Sequence, residues 1–178
     1  MKNILFYILI SIIVIRCSKY KQKDDIEVKI YSSKAVIFDC NLTDKWGKRV
    51  FSETQNAIIK ADDELKIEAT LKIIIAKQNI KQQQYFEYCI KQFPEENYKK
   101  EDFIIHLNDY KKQYIAILNS KAEKVIWINL FSSNMIKQDN FDWKKRILKS
   151  YGGGANFFNF KINITRNEYY DVWFNAEA

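Results

Sequence analysis

The chain has 178 residues, 47% of them hydrophobic and 15% aromatic, which suffices for one packed domain and is too apolar for a disordered chain. Four glycines and one proline exclude collagen-like, linker-dominated and repeat architectures. The net charge of +7 is carried by lysines interleaved with acids, as in Lys60-Ala61-Asp62-Asp63-Glu64. A nucleic-acid binder gathers its cations into one stripe, so no nucleic-acid partner is expected.

Met1-Lys2-Asn3 leads into an apolar run from Ile4 to Ile15, interrupted only by Ser11, and Arg16 and Cys17 follow at once. A basic residue ahead of a run of this length is the plan of a secretory signal. As a helix the run would be about 18 Å long, well short of a bilayer core of about 30 Å. A cysteine directly after the run resembles a bacterial lipoprotein signal, in which Cys17 would receive the lipid and become the first mature residue. Arg16 stands where that motif has a small residue, so an uncleaved signal anchor is the second reading. The expected organisation is a signal peptide or anchor over 1–16, a polar tether over 17–25 and one domain over 26–178. The expected location is exported and membrane-tethered in the cell envelope, periplasmic or at the surface. In an oxidising compartment Cys40 and Cys89 are a candidate disulfide; the alternative is two buried thiols packing as small hydrophobes.

Along the domain, Ile26, Val28 and Ile30 alternate with Glu27, Lys29 and Tyr31, the period of a half-buried strand, and Ala35–Phe38 is a second short one. Asn41–Val50 is a loop holding Trp46 and Gly47. Ser52-Glu53-Thr54-Gln55 has the form of a capping box, and it predicts a long helix with Ile58, Ala61, Leu65, Ala69, Leu71, Ile74 and Ile75 inward, running to about Gln84 or breaking near Asn79, with Tyr85–Phe93 either continuing as helix or packing as a turn. Pro94-Glu95-Glu96 suits a new helix start. Tyr114–Leu118 and Lys124–Phe131 flank a hairpin loop at Asn119–Glu123. Gly152-Gly153-Gly154 makes a tight connection into a strand on which Phe158, Phe160, Ile162 and Ile164 alternate with polar residues, and Arg166-Asn167 turns it back through Glu168–Phe174. The fold class expected is α+β, a long helix on one face of an antiparallel meander of about four to five strands.

Tyr110-Lys111-Lys112-Gln113-Tyr114, Val125-Ile126-Trp127-Ile128-Asn129, Gly153-Gly154, Asn163-Ile164-Thr165, Tyr169-Tyr170-Asp171 and Asn175 together resemble a group of small exported Bacteroidota proteins of unknown function. The resemblance covers the C-terminal part from Tyr110 onward. It implies a shared fold and an envelope location, and it carries no activity.

No catalytic constellation emerges. His106 is the only histidine, and no ligand-spaced carboxylates or thiols accompany it. No nucleophile elbow is present, and the triple glycine lacks the spacing of a phosphate loop. The expectation is a non-enzyme with no metal and no cofactor. The informative feature is a sheet face. If Ile126, Ile128, Leu130, Phe158, Phe160, Ile162, Ile164, Tyr170, Val172 and Phe174 face the helix, period 2 sends Trp127, Asn129, Asn159, Lys161, Asn163, Tyr169, Asp171 and Trp173 to the other side. Flat aromatics among amides suit sugar stacking or a protein partner, unless loops cover them as a second core. The functional expectation is an envelope-tethered binding or interaction module with an unknown protein or glycan partner. The alternative is a small inhibitor or immunity-type protein that blocks an enzyme or toxin.

Overall fold

A computed structural model describes residues 29–139 and 141–175; the leader, the whole of the 17–25 tether with Cys17, and Ile26 and Val28 of the first expected strand lie outside the described residues. The two central strands set the architecture. Strand β3 (Tyr110–Leu118) pairs antiparallel with β4 (Lys124–Ser132) along their full length. The loop between them is closed by Asn119, whose Oδ1 accepts the backbone N–H groups of Lys121 (3.0 Å) and Glu123 (2.9 Å). Val125-Ile126-Trp127-Ile128 is apolar on both sides of the pleat, a composition that requires cover on both faces. Every residue of β4 after Lys124 is buried.

Strands β5 (Phe157–Asn163) and β6 (Glu168–Phe174) continue the meander on one side of this pair. On the other side lie β2 (Ala35–Phe38) and then, at the edge, β1 (Lys29–Ser32). The order is β1-β2-β3-β4-β5-β6. The fold is α+β, but the expected all-antiparallel meander is corrected: six strands form the sheet, and β2 runs parallel to β3. Parallel neighbours need a long crossover, and here the whole of helix α1 (Ala61–Gln92) lies between them in the chain.

Helix α1 has 32 residues, about 48 Å at 1.5 Å per residue. Ile67, Leu71, Ile74 and Ile75 pack onto Ile126, Ile128, Leu130, Phe158, Phe160 and Ile162 from the sheet. Three expectations about this segment are corrected. The helix starts at Ala61, not after Ser52, because residues 55–57 take up the edge of β3 beyond the end of β2. There Ala57 N–H donates to Ala116 O (2.9 Å) and Leu118 N–H to Gln55 O (3.0 Å). The working cap is Asp63, whose Oδ2 accepts Lys60 N–H (2.8 Å). The inward stripe is also rotated: Ile58 and Leu65 are 76% and 71% exposed, and Ala61 and Ala69 are exposed too. Finally, no helix starts at Pro94, which sits in a turn after α1 has continued through Tyr85 to Gln92, and the next helix, α2 (Lys100–Phe103), begins only at Lys100.

The opposite face of the sheet carries a second core. Val36, Phe38, Ile115, Ile117, Val125, Trp127, Phe131 and Phe157 point there, and Cys40, Phe51, Trp143 and Ile147 close over them from the loops. Helix α3 (Ser133–Asp139) leads from β4 into that cover. Cys40 therefore lies on this side, whereas Cys89 is on α1, across the sheet. Both are buried free thiols, so the candidate disulfide is corrected.

Candidate functional site

The loop over the second core is held by one amide. Gln113 points from β3 into this side and is completely buried. Its Nε2 donates to the carbonyls of Trp143 (2.7 Å) and Arg146 (2.7 Å), and its Oε1 accepts Leu148 N–H (2.9 Å) and Asn129 Nδ2 (3.1 Å). Asn129 also donates to Leu148 O (2.7 Å). Buried loop backbone must find partners, and these two strand amides supply them. Segment 143–148 is thereby fixed, and with it the position of Lys149, Ser150 and Tyr151.

Beyond the fixed loop, the chain passes Gly153, whose φ of 91° suits glycine, and whose added Cβ would meet Phe157 Cδ2 at 3.1 Å. Asn175 secures the same connection, its Nδ2 donating to Ser150 O (2.8 Å) and Gly152 O (3.0 Å). Lys149 Nζ pairs with Asp44 Oδ2 at 2.8 Å. Burial alone would raise the Asp44 pKa, but the Lys149 ammonium and the N–H groups of Lys48 and Trp46 outweigh it, and the carboxyl sits below its ordinary range.

Strand β6 carries a bulge. Lys161 is opposite Tyr170 and Asn159 is opposite Trp173, so Asp171 and Val172 together face a single residue of β5, with Asp171 at φ 51°. The extra residue reverses the facing of everything before it. Tyr169 therefore lies on the helix side, its hydroxyl accepting Lys77 Nζ (2.9 Å), and Tyr170 lies opposite Lys161 on the loop side. Both assignments invert the sequence expectation. Trp173 and Phe174, past the bulge, keep theirs.

Between this strand end and the fixed loop lies a cleft of about 510 Å³, within the usual range of about 300–1,000 Å³ for small-molecule sites. Six of the eight sequence-predicted residues line it: Trp127, Asn129, Asn159, Lys161, Asp171 and Trp173. They contribute unequally. Trp127 is only 5% exposed, with its indole N–H on Asn159 Oδ1 (3.3 Å), and Asn129 is spent on the loop, so both form the floor. Trp173 is 64% exposed. Asn163 is not in the cleft; its Nδ2 donates to Glu123 Oε2 (2.9 Å) and its Oδ1 accepts Arg166 N–H (3.0 Å), which locks the ends of two hairpins.

Sequence reasoning missed the residues that loops bring to the cleft, Arg49, Lys149 and Tyr151. Tyr151 is 81% exposed, and its ring lies 5.3 Å from that of Trp46. The aromatic type at both positions was the only available signal, since no periodicity relates a loop to a strand. Lys161 Nζ pairs with Asp171 Oδ2 at 3.0 Å. His106 is on an exposed stretch before β3 and does not line the cleft. Among the described residues no cluster of histidine, cysteine or carboxylates is placed to hold a metal, and no helix is long and apolar enough to cross a membrane. No family model, curated protein or solved structure matches the chain.

Proposed function

We propose that this chain is a membrane-tethered binding module of the bacterial envelope, working without catalysis, and that it engages its ligand through the cleft between β6 and the 149–151 loop. One observation carries the reading: Trp173 and Tyr151, two large aromatic side chains lining one cleft, are left 64% and 81% exposed. Folding gains little from them, whereas binding gains much from such groups, which dominate recognition hot spots. The tether is supported by the apolar run from Ile4 to Ile15 and Cys17 after it.

The test uses the full chain reconstituted in lipid nanodiscs. Binding to envelope glycan preparations is compared for the native protein and for Trp173→Ala and Tyr151→Ala, each checked for folding by near-UV circular dichroism. A hot-spot truncation costs about 2 kcal/mol, close to thirtyfold in Kd. Unchanged binding in both variants refutes the cleft. Stoichiometric capture of one enzyme or toxin, inhibited on binding and lost in the same variants, would move the assignment to an inhibitor.

A further inference from the structure

We infer that the ligand of this cleft is a carboxylated saccharide; the inference rests on the proposed binding role and specifies its chemistry. The cleft is rich in hydrogen-bond donors. Arg49, Lys149 and Lys161 line it against the single carboxylate of Asp171, with Asp44 behind Lys149 as the second acid. Both lysines are already paired with those acids. Arg49 is not: among the described ion pairs none uses it. A guanidinium has five N–H groups in a planar fork. The hydrogen bonds that Arg49 makes go to neutral oxygens, Asn41 Oδ1 (3.2 Å) and Ser52 O (3.1 Å). Among the described residues the remaining N–H groups and the positive charge meet no acid, which leaves them for a bound anion.

The chemistry of that donor set favours a carboxylate, which a guanidinium can grip through two parallel bonds. Asn159 adds a neutral amide donor, since its Oδ1 accepts from Trp127 while its Nδ2 makes no hydrogen bond among the described residues. The body of the ligand is read from the rings. Trp173 and Tyr151 offer broad apolar faces beside the donors. A sugar ring has an apolar face of C–H groups and an edge of hydroxyls, and an acidic sugar joins to these the one charge that Arg49 lacks. A free phosphate matches the charge and leaves both rings unused.

The experiment follows the indole resonances of the full chain in nanodiscs by NMR while three probes are added: trigalacturonic acid, its methyl ester, and pyrophosphate. The acid is expected to shift the Trp173 signal and to bind at least about tenfold more tightly than the ester, the effect of losing one charge-assisted contact. Its affinity should fall severalfold between low and high salt, because the contact is partly solvent-exposed and screened. Arg49→Gln should bring the acid down to the affinity of the ester; the comparison of acid with ester on native protein stands even if that variant misfolds. An ester that binds as well as the acid, or pyrophosphate that binds more tightly, overturns the ligand class and leaves the cleft in place. If no probe shifts Trp173 but Trp173→Ala still abolishes binding to envelope glycans, the class again fails alone. If Trp173→Ala and Tyr151→Ala both leave that binding unchanged, the cleft itself is wrong.

Discussion

Replacing Gln113 by leucine tests whether the buried amide is what builds the cleft wall. The substitution keeps the size of the side chain and removes four hydrogen bonds, two to carbonyls, one to a backbone N–H and one to Asn129. If segment 143–148 stayed in place, three backbone groups would be buried without partners, at about 1–3 kcal/mol each. If it lifted away, those groups would reach water, but Trp143 and Ile147, both buried in the loop-side core, would be exposed at about 1.5–3 kcal/mol each. The chain takes the cheaper route, so the expected loss is about 3–6 kcal/mol. Urea denaturation measures the loss, and amide exchange read by mass spectrometry identifies the route. Release predicts fast exchange across 141–150 in otherwise native protein, with β3 and β4 still protected. Gln113→Glu should be at least as damaging, because a carboxylate cannot donate to the carbonyls of Trp143 and Arg146. A leucine variant within 1 kcal/mol of the native protein, with exchange over 141–150 unchanged, would refute the idea that this amide positions Lys149 and Tyr151.

Other outcomes follow from the same contacts. Asp44 and Asp63 both sit below the ordinary carboxylate range: burial opposes ionisation, and Lys149 for one and Lys124 for the other outweigh it. Each carboxyl thus ionises more readily folded than unfolded, so its contribution is complete above the unfolded pKa of about 3.9 and is lost as pH falls through the lower folded value; Asp44→Asn and Asp63→Asn should flatten the decline of Tm below about pH 4. Asp63→Asn also breaks the 2.6 Å pair with Lys124 and should cost about 3 kcal/mol at neutral pH in urea titrations. Gly153→Ala, at φ 91° with Phe157 crowding its Cβ, should cost about 1–2 kcal/mol, and a smaller value would show that the connection can relax. Mass spectrometry after alkylation of unreduced, denatured protein should find Cys40 and Cys89 both labelled, whereas a linked pair would contradict their placement across the sheet.

Local signals were legible where local physics decides. The Asn119–Glu123 hairpin, the alternation of Phe158, Phe160 and Ile162, and the glycine turn all hold in the structure because turn chemistry and pleat are short-range. The capping box failed for a long-range reason. Ser52 and Gln55 satisfy the local pattern, but the exposed edge of β3 past Phe38 offers backbone partners to residues 55–57, and strand pairing wins over the first turns of a helix. Starting at Ala61 leaves Ile58 outside the helix, and within it Ile67, Leu71, Ile74 and Ile75 face the sheet, which at about 100° per residue turns Leu65 to the opposite side. The bulge at Asp171 was invisible because period-2 reasoning assumes an unbroken ladder, and one added residue exchanged the sides of Tyr169 and Tyr170.

Trp127 and Trp173 show how far such reasoning reaches toward a site. Both occupy the side of the sheet away from the helix, as alternation requires. Their fates differ because of what covers each strand. Trp127 is on β4, in the middle of the sheet, where Phe51, Trp143 and Ile147 close over the surface; Trp173 is on β6, the edge strand, beyond the reach of those loops. A loop anchored by Gln113 and Asn129 covers the centre of this face, and its far end, at Lys149–Tyr151, borders an uncovered remainder. The cleft is that border. Its depth is therefore set by where the cover stops, and shifting the Lys149–Tyr151 end through Gln113 should alter ligand affinity even though Gln113 does not line the cleft. A Gln113→Leu protein that exchanges rapidly over 141–150 yet binds with native affinity would separate the two and place the binding determinant on β6 alone.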